Sequence, residues 1–354
     1  SVIYAIEHCG GSAGRGGHNL SMHTSQLVYN ARQAAADFFD AQTENVIFTS
    51  SCTHALNTAI KGVLKDGGHV VTSSIEHNSV IRPLMALSKQ GKITLSIAKV
   101  YDDNSKTIDS FENAINVKTQ VVICTIAGNV TGQLLPIKEI AEMCNKRNIC
   151  FIADGAQACG IIPVSLKSGI NILCTSGHKG LYGIAGTGLL VTDGKYKIEP
   201  LTQGGTGSGS LEFTQPDFMP DSLESGTLNT PGILSLKAGI DFINKRTIQD
   251  IFRYEEKLAD IFLSNMRDFD KITIYRSPNA KYVPIISFNV KDIPSEKFAS
   301  YLNEKGFCLR AGFHCSAMAH KSLGTKNGTI RFAPSVFNTE SDVKKLCLTI
   351  KNAF

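Results

Sequence analysis

The sequence predicts an α/β fold: a large first domain built on a mainly parallel, doubly wound sheet of seven strands, then a smaller α+β domain. Short β-branched apolar runs alternate with helical stretches through the middle of the chain. Those runs lack a clean apolar/polar alternation, as strands covered on both faces do. The 354 residues are also long enough for two domains of roughly 100–200 residues each. Strands are expected at Val46–Thr49, 69–73, Ile93–Ala98, 121–125, 149–153, 172–175 and Gly188–Thr192, with helices between them at 53–64, 81–90, 108–116 and 136–148. Pro136 opens the last of these, at a first-turn position where its missing N–H costs nothing. Beyond residue 204 the pattern loosens. Residues 204–210 (GGTGSGS) form a glycine loop, and Pro216, Pro220 and Pro231 keep the segment irregular to residue 232. One long helix is then expected from 233 to about 265, strands at 271–275 and 283–290, a helix at 295–305, strands at 307–310 and Thr329–Phe332, and a last helix from Glu340. The two domains are drawn at 1–230 and 231–354.

The composition excludes several classes of protein. Hydrophobic residues make up 42% and charged residues 19%, which fits an ordinary globular chain and neither a disordered nor a collagenous one. Lys and Arg exceed Asp and Glu by 36 − 31 = +5, with no basic block that would mark a nucleic-acid arm. No apolar run approaches the 18 or more residues of a membrane span. The ten cysteines contain no C-x-x-C pair, and Cys124, Cys150 and Cys174 lie inside apolar runs. That argues for small core hydrophobes in a reducing, cytoplasmic setting rather than disulfides or zinc. His8, His18, His23, His54, His69 and His320 make no metal-ligand spacing, and no metal is expected.

Two strand ends carry the chemistry. Ser176-Gly177-His178-Lys179 follows an apolar run, where a partly desolvated lysine is suited to form a Schiff base with an aldehyde cofactor. Ser176 and His178 offer donors to a phosphate. Asp154, in DGAQ after the run FIA, stands at the carboxyl end of a strand, where ligands bind in open α/β sheets. An aspartate there holds a pyridine nitrogen protonated, although a plain helix cap would use the same residue. The pair Asp154 and Lys179 on successive strands points to pyridoxal 5'-phosphate. A phosphate cradle is expected at 49–54, where a strand meets a helix, from backbone amides including that of Cys52 and from the Thr53 hydroxyl.

Together with Glu76-His77-Asn78, Gly14-Arg15-Gly16, 223–231 (LESGTLNTP) and Arg310-Ala-Gly-Phe-His314-Cys315, these motifs resemble the class V aminotransferase superfamily over nearly the whole chain, and within it the cysteine desulfurase and selenocysteine lyase branch. The resemblance implies the pyridoxal-phosphate transferase fold of type I. It implies that Lys179 is the Schiff-base lysine, Asp154 the partner of the ring nitrogen, Gln157 a contact of the ring hydroxyl and His77 a catalytic residue stacked on the ring. Thr53, Ser176 and His178 would hold the phosphate, and Gly205 or Thr206 would reach it from a second subunit of a homodimer. Asn129, Arg310 and Arg331 would meet the substrate, Arg331 as a planar fork on its carboxylate. Cys315 would be the sulfur nucleophile, with Arg310 and His314 as neighbouring positive charges that favour a thiolate; Cys308 reads as core. Arg15 and His18 would lie near the site, from either subunit.

The expected reaction converts L-cysteine to L-alanine and leaves a persulfide on the enzyme for iron–sulfur cluster or thio-cofactor assembly, with a sulfur-acceptor protein downstream. L-selenocysteine as the substrate is the close alternative, and an aminotransferase or lyase that ignores Cys315 is a further one. The family opens with a short strand and an Asn-Ala-Ala stretch ahead of the first helix; here 1–6 already reads as helix, which leaves the entrance contacts of that stretch unassigned. The moderate length of 315–329 suggests the mobile Cys-bearing loop of the Suf-like subgroup.

Overall fold

The computed structural model describes residues 1–14 and 16–354. Its large sheet contains β1 (Val46–Thr49), β2 (Gly68–Ser73), β3 (Ile93–Ala98), β4 (Thr119–Thr125), β5 (Cys150–Asp154), β6 (Ile172–Ser176) and β7 (Gly188–Thr192), in the spatial order β1-β7-β6-β5-β4-β2-β3. The ladders β3–β2–β4–β5–β6 are parallel, and β7 runs antiparallel to both β6 and β1. Side chains alternate across this sheet onto two apolar layers. Phe151 and Ala153 of β5 face one layer, while Cys150 and Ile152 face the other. Both faces are therefore dry, which is why the strands read as unbroken apolar runs. The helices α3 (Cys52–Val63), α4 (Asn78–Lys89), α5 (Asn104–Ala114) and α6 (Ile137–Lys146) connect the strands.

Beyond them, α7 (Thr230–Arg246) and α8 (Ile248–Met266) lead into a four-stranded antiparallel sheet. It comprises β8 (Ile272–Ile274), β9 (Ile286–Val290), β10 (Arg310–Gly312) and β11 (Thr329–Phe332), in the order β10-β11-β9-β8. Its helices are α9 (Ser295–Glu304), α10 (Ala317–Leu323) and α11 (Glu340–Lys351). We propose 1–230 and 231–354 as the domain division, with α7 folded back onto the first unit. Ile233, Leu236, Ile240 and Ile243 join the large core, and the second core begins at Leu258.

The elements depart from expectation in a few places. Two N-terminal helices precede the sheet, α1 (Val2–His8) and α2 (Asn19–Phe39), and α2 was not foreseen. Its buried Thr24, Val28, Ala31, Ala35 and Phe39 fall at helical spacing. The single helix expected from 233 to 265 is two, because Thr247 takes φ +70° and its side chain caps α8 by accepting from the Asp250 N–H. The stretch 307–310 pairs only from Arg310, and 283–290 only from Ile286. The stretch 315–329 holds a helix of its own, α10. Helix α4 starts at Asn78, earlier than expected, and this makes His77 its N-cap.

Candidate active site

The carboxyl ends of β4, β5 and β6 lie side by side and deliver Thr125, Asp154 and Ser176 to one edge of the sheet. Asp154 is 3% exposed. Its Oδ1 accepts from the Ala156 N–H at 2.9 Å and from the Cys52 thiol at 3.4 Å. Ser176 is equally buried, and its hydroxyl has no hydrogen-bond partner. A buried hydroxyl left without a partner is costly unless a ligand satisfies it.

Beside it the turn from β1 into α3 offers its N-terminal amides. Ser51 caps the helix by accepting from the His54 N–H, which leaves the Cys52 and Thr53 amides at the positive end of the helix. A Cβ on Gly188 would stand 2.5 Å from the Ser51 carbonyl carbon and 2.9 Å from the Cys52 nitrogen, so only glycine lets β7 pass this close. The Thr53 hydroxyl pairs at 2.7 Å with that of Ser79. Lys179 and Gln157 line a cavity of about 340 Å³ with Tyr182, Glu255, Ile285 and Phe337. His178 is exposed beside Lys179; burial and the lysine charge hold its ring below its ordinary pKa.

His77 stands where these parts meet. Its Nδ1 accepts from the Ser79 N–H at 3.0 Å and lies 2.8 Å from the Ser79 hydroxyl, which puts the proton of the neutral ring on Nε2. Burial holds its pKa below the ordinary value. Asp154 opposes that shift, and Lys179, Arg310 and Arg331 reinforce it. Four charges from distant parts of the chain thus bear on one ring. Next to it, Glu76 is fully buried. Its Oε1 accepts from the Ser73 hydroxyl and the Thr125 N–H, while Oε2 has no partner. Burial outweighs those hydrogen bonds and pushes the Glu76 pKa up to about 8, so the carboxyl is neutral at pH 7.

The Cys315 turn faces this cluster. Cys315 is exposed, and its Sγ lies 3.6 Å from Nη2 of Arg310. Its carbonyl accepts from the Asn78 N–H at 2.8 Å, and the Ser316 hydroxyl donates to the Glu76 carbonyl at 2.7 Å. His314 and Cys315 both adopt left-handed backbone, φ +48° and +57°. The His314 carbonyl accepts from Nδ2 of Asn129 at 2.7 Å, and the Asn129 carbonyl accepts from Nη1 of Arg331 at 2.8 Å. Oδ1 of Asn129 is buried without a partner, a second group left for a ligand. Arg331 is pushed down to about 10, first by burial and then by Arg310.

Two expectations are corrected here. His314 supplies no positive charge to Cys315. The ring is 2% exposed, its Nε2 lies 2.9 Å from the Thr329 carbonyl, and burial with the Arg331 charge pushes its pKa down to about 3. Arg310 is the cation that contacts the thiol. Cys308, expected in the core, is exposed as well.

Neither Gly205 nor Thr206 lines the Lys179 cavity. Thr206 lines a separate cavity with Tyr29, Arg32 and Asp221. His18 caps α2 by accepting from the Ser21 N–H, and Arg15 lies outside the described residues. Among the described residues no group of three His, Cys, Asp or Glu forms a metal site, and no helix is long and apolar enough to cross a membrane. The roles of Glu76, Ser79, Ser316 and the Cys52 side chain were not read from the sequence. Only the Glu76-His77-Asn78 motif hinted at the first of them.

A large sheet with a lysine and an aspartate at adjoining strand ends, completed by a small antiparallel domain, defines a class: residues 2–346 match the family model for aminotransferase class-V, and the chain belongs to that family. Within it, the chain is similar to proteins named as cysteine desulfurases. A probable cysteine desulfurase of Methanothermobacter thermautotrophicus is 30% identical, over 96% of this chain and 87% of its own. The cysteine desulfurase of Haloferax volcanii is 27% identical, over 94% and 80%. The apo structure of the cysteine desulfurase from Thermococcus onnurineus superposes with a TM-score of 0.91 at 26% identity, covering 99% of this chain and 90% of that one.

Proposed function

We propose that this protein is a pyridoxal-phosphate-dependent cysteine desulfurase that converts L-cysteine to L-alanine and keeps the sulfur as a persulfide on Cys315. The observation that carries this reading is the docking of the Cys315 turn onto the N-terminus of α4, beside His77. It sets an exposed thiol, two arginines and the strand-end aspartate around one ring.

The residues present fit pyridoxal phosphate. Ser176 has a buried hydroxyl without a partner, α3 presents its amides, and Asp154 is buried with one oxygen already satisfied. When bound, that cofactor supplies the electron sink for charge developing at the substrate Cα. Lys179 would hold the cofactor through its Nζ, and the same amine would take the Cα proton. Asp154 would keep the proton on the ring nitrogen, Gln157 would meet the ring hydroxyl, and His77 would cover the ring face. Thr53, Ser176, His178 and the Cys52 amide hold the phosphate. Arg331 takes the substrate carboxylate, with Asn129 beside it. Arg310 lies 3.6 Å from the Cys315 sulfur, where its charge faces the attacking atom. Cys315, as a thiolate, attacks the substrate sulfur; the S–S bond forms as the C–S bond breaks, the C–S electron pair passes to Cβ, which takes a proton, Lys179 returns a proton to Cα, and L-alanine leaves.

Membership of the class V family supports a homodimer in which Gly205 and Thr206 complete the phosphate site of the other subunit. Ten free cysteines support a reducing, cytoplasmic setting, with delivery of sulfur to an acceptor protein for iron–sulfur or thio-cofactor assembly. Incubation of the Cys315→Ala variant with L-cysteine tests the reading. The expected result is retained visible cofactor absorption with no protein persulfide and no sustained alanine formation. Wild-type alanine production in that variant would remove Cys315 from the reaction. A faster wild-type rate on L-selenocysteine that survives the substitution would make the protein a selenocysteine lyase.

A further inference from the structure

Cys52 opens α3, and its main-chain N–H is one of the donors assigned above to the phosphate. Its side chain reaches a different group. The thiol donates to Oδ1 of Asp154 at 3.4 Å, across 102 residues of sequence, and both residues are buried. The Ala156 N–H donates to the same oxygen at 2.9 Å. Among the described residues no hydrogen bond reaches the other oxygen, Oδ2. Two donors on one oxygen fix the rotation of a carboxylate and leave its second oxygen to a partner. Burial, and then the charge of Asp154, raises the Cys52 pKa well above its ordinary value, so the sulfur stays a neutral donor.

We infer that Cys52 is a positioning residue for Asp154, its S–H holding Oδ1 so that Oδ2 meets the protonated ring nitrogen of the cofactor. This rests on the pyridoxal-phosphate reading of the site. The thiol also draws charge from the carboxylate, and its loss leaves more negative charge beside the ring. The visible band of the bound cofactor then titrates at a higher pH.

The infrared S–H stretch of the cofactor-free protein reads the bond directly. A wild-type minus Cys52→Ser difference spectrum is expected to show a band below that of an unbonded thiol, and Asp154→Ala is expected to return it to the unbonded position. In the loaded protein, Cys52→Ala is expected to raise the titration midpoint of the visible band by about half a pH unit. It is also expected to weaken pyridoxal-phosphate affinity about threefold, while Cys52→Ser, which restores a donor, brings both back. An unshifted S–H band overturns the inference. So does a Cys52→Ala protein that matches wild type, or a Cys52→Ser protein as perturbed as Cys52→Ala, since the residue would then act by packing alone. A wild-type protein with the shifted S–H band that takes up no pyridoxal phosphate overturns the cofactor reading instead, and the two failures are told apart by the infrared result.

Discussion

The two sides of the site, the strand ends that carry Asp154 and the turn that carries Cys315, are built in opposite ways. Asp154 ends a central strand, with ladder neighbours on either side, and Cys52 and Ala156 hold one of its oxygens. Cys315 is exposed in a turn whose two consecutive left-handed residues accept hydrogen bonds from Asn129 and Asn78, while the Ser316 hydroxyl beside them donates to the Glu76 carbonyl. The difference teaches where each kind of chemistry belongs. A group that must keep one charge state throughout is best placed in the dry, rigid sheet, where nothing has to reorganise. On the proposed reading, a group that attacks, carries sulfur and hands it on needs solvent access, which Cys315 has while buried His314 and Ser316 anchor the turn on either side.

Substitutions on the two sides should therefore fail differently. The largest effect is expected at Lys179. Lys179→Ala should lower turnover at least ~1000-fold, and borohydride reduction of the loaded protein should no longer label residue 179 with cofactor. Labelling at another lysine would break the assignment of the rigid side. Arg331, on the turn side, should respond in substrate binding. Its replacement by Ala should raise KM for L-cysteine roughly 10–100-fold, the loss of a charge-assisted contact, with a smaller change in kcat. A kcat loss with unchanged KM would remove it from the substrate carboxylate.

Glu76 and His314 sharpen the comparison through pH. A carboxyl held neutral up to about pH 8 in the folded chain binds more protons there than in the unfolded chain. Stability from Glu76 is therefore present at acid pH and lost as pH rises from the usual carboxylate range to about 8. Glu76→Gln should flatten that slope by up to about 1.4 kcal/mol per pH unit, measured by denaturant unfolding at a series of pH values. His314 has the opposite sign. With its pKa at about 3, it costs stability as pH falls from the ordinary histidine value toward 3, and His314→Asn should flatten this acid limb. The smallest effect separates backbone from ring: because asparagine tolerates left-handed backbone, His314→Asn should be more stable than His314→Ala by about 1 kcal/mol. Equal melting temperatures would show that the turn carries no such strain.

Much of the rigid side was legible in the chain itself. Apolar runs that end in Asp154 and just before Lys179, with the Ser/Thr-rich turn at 49–54, signal strand ends facing one ligand, because local sequence sets where a strand stops. The turn side was less so. The sequence suggests that His314 is a charge for Cys315; its burial against Thr329 makes it neutral, and burial is not a local property. The break at Thr247 was missed because 233–265 keeps helical spacing on both sides of it. The Cys52 thiol was missed because its partner lies 102 residues away.

The sequence alone therefore determined the fold class and placed Asp154 at one strand end and Lys179 just past the next, since periodicity and short motifs are encoded between near neighbours. Tertiary structure decided the charge states of Glu76, His77 and His314, the cation that faces Cys315 and the hydrogen bonds that orient Asp154. Each of these depends on desolvation and on contacts between segments that meet only when the two sheets close around the site.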